Sequence, residues 1–347
     1  MKRAIYTTVS VLALLAATPA FAGPGSNVSN VSQDGTSQAA TIDQVGQNDT
    51  SNVTQSNSGN TANVTQNGII GGESDITQSG SSNNATLSQS DDGHGFPGGT
   101  ASYPPGGTYP PAGKPISVSS ITQGGDNNTA NVTQKTATSA LVNTSVVNQG
   151  GSSNGATVAQ YDDFQSSNVQ QISDNNTAVV SQGLDNGLDN SYANMSSVSQ
   201  SGGGLNQAFV QQNGIAGTNT IDQSGTAGFA SVAQTNGQLD ASSISQSNVL
   251  DTATVSQDGS NHTSIIGQSG YGDTAGVNQS GNGNSSTISQ TGDYAGAAVW
   301  QSGDSNQSFI NQGGTSNNAS VTQTSDSNLS NVSQNGAGNT ATVTQGH

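Results

Sequence analysis

The sequence predicts an all-β fold, a two-sheet β-solenoid of 13 stacked strand-turn-strand repeats of about 22 residues, uncapped at both ends. Three observations carry this reading. A glutamine returns 26 times in one register from Gln33 to Gln345, mostly at intervals of 11 residues. An aliphatic residue stands two positions before every one of them: Val, Ile, or the single Leu87. Four positions before, Ser and Ala alternate (Ser29, Ala40, Ser51, Ala62, and so on to Ser330 and Ala341), and only Asn219 breaks the series. The unit therefore has two distinguishable halves.

Residues 1–22 read as a secretory signal. Lys2 and Arg3 open it, Val9 to Ala17 form a short apolar stretch, and Ala20-Phe21-Ala22 before Gly23 is a small-residue cleavage site. That stretch is too short to span a bilayer, so no membrane span is expected and the mature chain is read as exported. Residues 23–89 hold repeats 1–3 and residues 116–347 hold repeats 4–13. Between them, residues 90–115 form a Gly/Pro/Tyr-rich loop or linker containing Pro97, Pro104, Pro105, Pro110, Pro111 and Pro115. No proline falls in an expected strand, where a missing N–H would interrupt the ladder.

Each half-repeat reads as one strand. In Asn60-Thr-Ala62-Asn-Val64-Thr-Gln66, the fixed positions are two apart and so share a face. Thr, Ser and Asn between them suit a solvated face. Gly is common two residues after the glutamine, as at Gly80, Gly125, Gly270 and Gly292, and is read as supplying positive φ in tight turns. Two strands make a rung, and rungs stack in parallel about 4.8 Å apart, close to 60 Å in all. The longer insertions all follow a second-half strand and keep the alternation in phase, so loops leave along one edge.

Inward columns are expected to hold the stack. The aliphatic column gives a thin dry seam, too slender to offset chain entropy alone. Stacked Gln and Asn amides, each bonding its neighbours above and below, are expected to contribute the rest. The structural residues expected in these columns are Gln33, Gln44, Gln55, Gln66, Gln78, Gln89, Gln123, Gln134, Gln149 and Gln160, with Asn128, Ala130 and Val132. Gln312, Asn317, Ala319, Val321 and Gln323 repeat the set further on. The ends matter as much. Val31 and Gln33 at one end, and Gln334, Asn339, Ala341, Val343 and Gln345 at the other, are expected to present open edges that join head to tail.

Composition excludes several functions. The formal charge is −17, with two of the four basic residues inside the signal, so nucleic acid and anionic membranes are poor partners. Cysteine is absent, and an exported chain then lacks disulfides to stabilise it. No catalytic, metal or cofactor site is expected. His94, His262 and His347 read as isolated solvated histidines, and Asp91-Asp92 and Asp162-Asp163 as ordinary turn residues. Trp300, Phe209 and Phe309 point outward singly by register. A Thr-x-Thr ladder, needed for ice binding, occurs only at Thr342 and Thr344.

The repeat resembles the curlin repeat of curli subunits, the secreted proteins of bacterial surface amyloid, whose pattern is S-x5-Q-x-G-x-x-N-x-A-x3-Q. Ser117, Gln123, Gly125, Asn128, Ala130 and Gln134 match it throughout. Gln78-Gly80-Asn83-Ala85-Gln89, Gln149-Gly151-Asn154-Ala156-Gln160, Gln312-Gly314-Asn317-Ala319-Gln323 and Gln334-Gly336-Asn339-Ala341-Gln345 match all but the leading serine. Departures are that serine, replaced by Asn143, Asn194 or Asp240, and a Gly-rich segment placed internally rather than after the signal. The resemblance implies a non-enzymatic, secreted fibre subunit, a fimbrium for adhesion and biofilm matrix. Its implied partners are itself as a head-to-tail homopolymer, a nucleating subunit and an outer-membrane export machinery. The alternative is a non-polymerising β-solenoid surface adhesin.

Overall fold

The computed structural model describes residues 27–91, 117–136, 142–183 and 191–346. The first four rungs run through β1 (Val28–Thr36), β2 (Ala39–Gln47), β3 (Thr50–Ser58), β4 (Thr61–Ile70), β5 (Glu73–Gln78), β6 (Asn84–Asp91), β7 (Ser117–Gln123) and β8 (Thr129–Thr136). Then come β9 (Asn143–Gln149), β10 (Gly155–Tyr161), β11 (Ser166–Gln171), β12 (Thr177–Gln182), β13 (Met195–Gln200), β14 (Gln207–Gln212), β15 (Thr218–Gln223), β16 (Phe229–Thr235), β17 (Ala241–Gln246) and β18 (Thr252–Ser260). The last are β19 (Thr263–Gln268), β20 (Thr274–Asn282), β21 (Ser285–Gln290), β22 (Gly296–Gln301), β23 (Gln307–Thr315), β24 (Asn318–Gln323), β25 (Leu329–Ala337) and β26 (Thr340–Gln345).

Odd-numbered strands form one 13-stranded parallel sheet and even-numbered strands another, so the described chain is an all-β solenoid of two faces. The two-part repeat dictates this. Like halves pair with like, because only then does each inward residue lie over its own kind. The register obeys the rule: Val31 lies beside Val53, Ser51 beside Ser74, and Ala156 beside Ala178. A slip of one residue would turn every aliphatic outward.

The core is two aliphatic columns with small residues beside them. Ile121, Ile221, Ile244, Ile266 and Ile288 lie in the odd sheet, and Val64, Leu87, Val132 and Val180 in the even sheet, all fully or almost fully buried. Ala62, Ala85, Ala130 and Ala178 face the serine column with no exposed surface. That column is slender but costly: the hydroxyls of Ser119, Ser145, Ser264, Ser286 and Ser308 are buried and make no hydrogen bond.

The insertion does not interrupt the sheets. β5 pairs with β7 and β6 with β8, with Gln78 beside Gln123 and Gln89 beside Gln134. Both repeat arrays thus share one pair of sheets. Residues 92–116, most of the expected linker, lie outside the described residues, as do residues 1–26 with the expected cleavage site at Ala20, Ala22 and Gly23.

The expectation about the turns holds in part. Positive φ falls at the glycine two residues after the glutamine at Gly35, Gly259, Gly281, Gly303, Gly314 and Gly336, and more often four residues after it, at Ser82, Asn127, Ser153, Asn175 and Tyr294. Gly80, Gly125, Gly270 and Gly292 are required for another reason. A Cβ at Gly80 would overlap the Gly125 carbonyl, and one at Gly270 the Gly292 carbonyl, because successive turns press backbone on backbone.

Candidate functional site: amide ladders and end rungs

The glutamines form two unbroken ladders. In the odd sheet, Nε2 of Gln33 donates to Oε1 of Gln55 (2.7 Å), Gln55 to Gln78 (2.7 Å), Gln78 to Gln123 (2.7 Å) and Gln123 to Gln149 (2.8 Å). In the even sheet, Gln44 donates to Gln66, Gln66 to Gln89, Gln89 to Gln134 and Gln134 to Gln160, at 2.8–2.9 Å. Gln312 donates to Gln334 and Gln323 to Gln345, both at 2.8 Å. The second amide hydrogen crosses the core: Gln55 Nε2 reaches the Ala39 carbonyl and Gln78 Nε2 the Thr61 carbonyl. One side chain thereby binds the rung above, the rung below and the opposite sheet. Every ladder bond runs in the same sense, so the stack has a direction.

Asparagine for the most part does a different job from the expected amide stacking, which Asn328 Nδ2 donating to Asn306 Oδ1 (3.0 Å) does show. Asn83 N donates to Asn60 Oδ1 (3.0 Å), Asn128 N to Asn83 Oδ1 (2.8 Å) and Asn154 N to Asn128 Oδ1 (2.9 Å). The Nδ2 groups donate to turn carbonyls, Asn83 to Gly125 (2.7 Å) and Asn128 to Gly151 (2.8 Å). Asn317 likewise holds Gly336 (3.0 Å) and accepts from Asn339 N (2.9 Å). The turn needs one acceptor and one donor at each level, and the primary amide supplies both.

Five ionisable residues occupy this buried column in place of Asn. Asp49, Asp240, Asp251, His262 and Asp273 each lie six positions before a column glutamine, a spacing readable in the sequence that residue type concealed. Burial raises the pKa of Asp49, against backbone N–H groups of Gly72 and Gly71 that lower it. It raises Asp240 likewise, and it raises Asp251 against the N–H groups of Asp273 and Asn248. Asp273 is pushed up to about 6 by burial, opposed by the Ala295 and Gly270 N–H groups and reinforced by the charges of Asp251 and Asp293.

His262 was expected in solvent and is instead fully buried, its Nδ1 accepting from Asn284 N at 3.3 Å. The imidazole stands in for the acceptor half of the primary amide, and its Nε2 is buried without a hydrogen bond. Asp162 and Asp163 do lie in the turn between β10 and β11, but both are buried. Phe209 does not stand alone: it meets Phe229 with ring centroids 5.6 Å apart, diagonal neighbours across β14 and β16. Trp300 and Phe309 do point outward. His94 and His347, with Asp92, lie outside the described residues, and Asp91 ends β6.

The end rungs differ from the rest. Every residue of β1 is exposed, Val31 by 50%, and nothing covers β1, β2, β25 or β26 on their outer edges among the described residues. Ala341 and Val343 are only partly buried, and Gln334 Nε2 donates to the Asn318 carbonyl with no ladder partner beyond it. Among the described residues, no three His, Cys, Asp or Glu side chains are placed to hold a metal ion, and no helix is long and apolar enough to cross a membrane.

These features define a class, the parallel two-sheet β-solenoid whose interior is laced by polar side-chain ladders. Residues 265–292 match a family described as the curlin associated repeat. The matched stretch starts within β19, includes β20 and β21, and contains Gln268, Ala275, Gln279 and Gln290 in the columns described above. No curated protein matches the chain.

Proposed function

We propose that this protein is a secreted structural subunit that assembles head to tail into extracellular cross-β fibres, serving surface adhesion and biofilm matrix, with no enzymatic role. The observation that carries the reading is the pair of end rungs, open among the described residues, on a directional ladder. The β1 and β2 end offers Oε1 acceptors of Gln33 and Gln44, and the β25 and β26 end offers Nε2 donors of Gln334 and Gln345. A second copy stacked in the same sense meets donor with acceptor and Val343 with an aliphatic of its own column. Such a contact does not close on itself, and a heterologous contact that does not close makes a filament.

The match of residues 265–292 to the curlin associated repeat supports the same reading. A nucleating subunit and an outer-membrane exporter are the further partners of this reading. The test is to dilute residues 23–347 from denaturant and follow thioflavin fluorescence with and without seeds. Seeded growth, with fibre diffraction at the strand and sheet spacings, is expected. Val343→Lys with Gln345→Lys should slow elongation far more than Thr342→Lys with Thr344→Lys. Dispersed single molecules indifferent to seed would refute fibre assembly and favour a surface adhesin.

A further inference from the structure

The asparagine column has two tasks at each level, and three aspartates perform only one. Asp240 Oδ1 accepts from His262 N (2.8 Å), Asp251 Oδ1 from Asp273 N (3.1 Å) and Asp273 Oδ1 from Ala295 N (2.9 Å), as an Asn oxygen would. The other carboxylate oxygen occupies the donor's place. A Cβ built on Gly80 would sit against both Asn83 Nδ2 and the Gly125 carbonyl, which are hydrogen-bonded to each other. A Cβ on Gly237 would sit against Asp240 Oδ2 and the Gly259 carbonyl, and one on Gly270 against Asp273 Oδ2 and the Gly292 carbonyl. An ionised carboxylate there faces oxygen with oxygen. Asp251 Oδ2 is buried with no hydrogen bond, and Asp273 Oδ2 has only the Gly270 N–H at 3.2 Å.

We propose that the stack carries an acid-responsive segment: protonation turns Asp240, Asp251 and Asp273 into hydroxyl donors toward their turn carbonyls, completing the column and tightening β17 to β22 in mildly acidic surroundings. The carboxylates facing them favour this, and the imidazole facing Asp240 opposes it. Asp240 is faced by Asp258 and His262, Asp251 by Asp273, and Asp273 by Asp251 and Asp293. No Lys or Arg follows Lys135 in the sequence, so no such cation from that stretch holds these carboxylates ionised. His262, beside Asp240, supplies the acceptor as Asn would: Nδ1 accepts from Asn284 N, while its buried Nε2 makes no hydrogen bond. Burial raises all three carboxyls, Asp273 to about 6 from 3.8. For Asp273 alone that favours the ordered stack by about tenfold more at pH 5 than at pH 7. The segment concerns a single chain's own stack and does not depend on fibre assembly.

The experiment compares three full-length chains by hydrogen exchange at pH 7.5 and 5.0, corrected for intrinsic rates. They are the natural protein, Asp240→Asn/Asp251→Asn/Asp273→Asn, and a control of equal charge change on exposed carboxylates, Asp34→Asn/Asp43→Asn/Asp222→Asn. In the natural protein and the control, protection across β17 to β22 should rise tenfold or more at pH 5.0, beyond any change in β9 to β12. The buried variant should be well protected at both values and show no such rise. A His262→Asn background, run in parallel, removes the imidazole and should leave the pattern intact. A rise retained in the buried variant, no rise in the natural protein, a rise lost in the control, or failure of the buried variant to fold would each overturn the proposal.

Discussion

Gln268→Ala tests the central physical claim that the ladders hold the fold. Gln268 is almost fully buried, accepts from Gln246 Nε2 (2.9 Å), and donates to Gln290 Oε1 (3.0 Å) and to the Thr252 carbonyl (3.0 Å). Truncation removes three hydrogen bonds at about 1 kcal/mol each and leaves Gln290 Oε1 without its ladder donor in a dry interior. Loss of buried methylene surface adds about 1 kcal/mol. The expected cost is about 4–5 kcal/mol. In a stack whose rungs contact only their neighbours, that cost should appear locally, as faster hydrogen exchange in β17, β19 and β21. Gln307→Ala is the matched control, since Gln307 is an exposed glutamine outside the columns. If Gln268→Ala cost under 1 kcal/mol, or no more than Gln307→Ala, the ladders would be decoration on a fold held by other forces.

Further outcomes follow from the same geometry. Gly270→Ala should abolish native exchange protection around its turn, because a Cβ overlaps the Gly292 backbone, whereas Gly267→Ala meets nothing within 4 Å and should be neutral or slightly stabilising in thermal melts. Ile266→Ala, fully buried, should lower stability by about 2–5 kcal/mol in denaturant titration, while Ile265→Ala, 46% exposed, should change it by under 1 kcal/mol. Asp49, raised by burial, binds its proton more tightly folded than unfolded. Its contribution is therefore fully present below the unfolded value of 3.8 and is lost as pH rises through the folded value. Asp49→Asn should accordingly stabilise the first rungs at pH 7 and flatten their dependence on acid, read by exchange in β3 and β5.

The glutamine spacing located the strands because register, burial and ladder chemistry all demand the same residue at the same place. Parallel pairing of like halves followed from it, and so did the continuity of β5 with β7 across the long insertion. The asparagine column was harder to read. Its requirement is one acceptor and one donor, which Asn143, Asp240, Gln165 and His262 meet in whole or in part, so no single letter recurs. His262 accordingly looked like an isolated surface residue. The Phe209 and Phe229 contact depends on which residues lie diagonally across two rungs, a relation between strands 20 residues apart in the chain that becomes visible once the register is known.

Because each Gln amide takes from the level below and gives to the level above in the same way, every level is interchangeable with the next. Excision of residues 263–284 would bring β17 against β21 and β18 against β22, with Gln246 meeting Gln290 and Gln257 meeting Gln301 in an unaltered pattern. Gene-level duplication or loss of whole units would thus lengthen or shorten the molecule without redesigning its interior, leaving size free to drift while the two terminal faces stay the same.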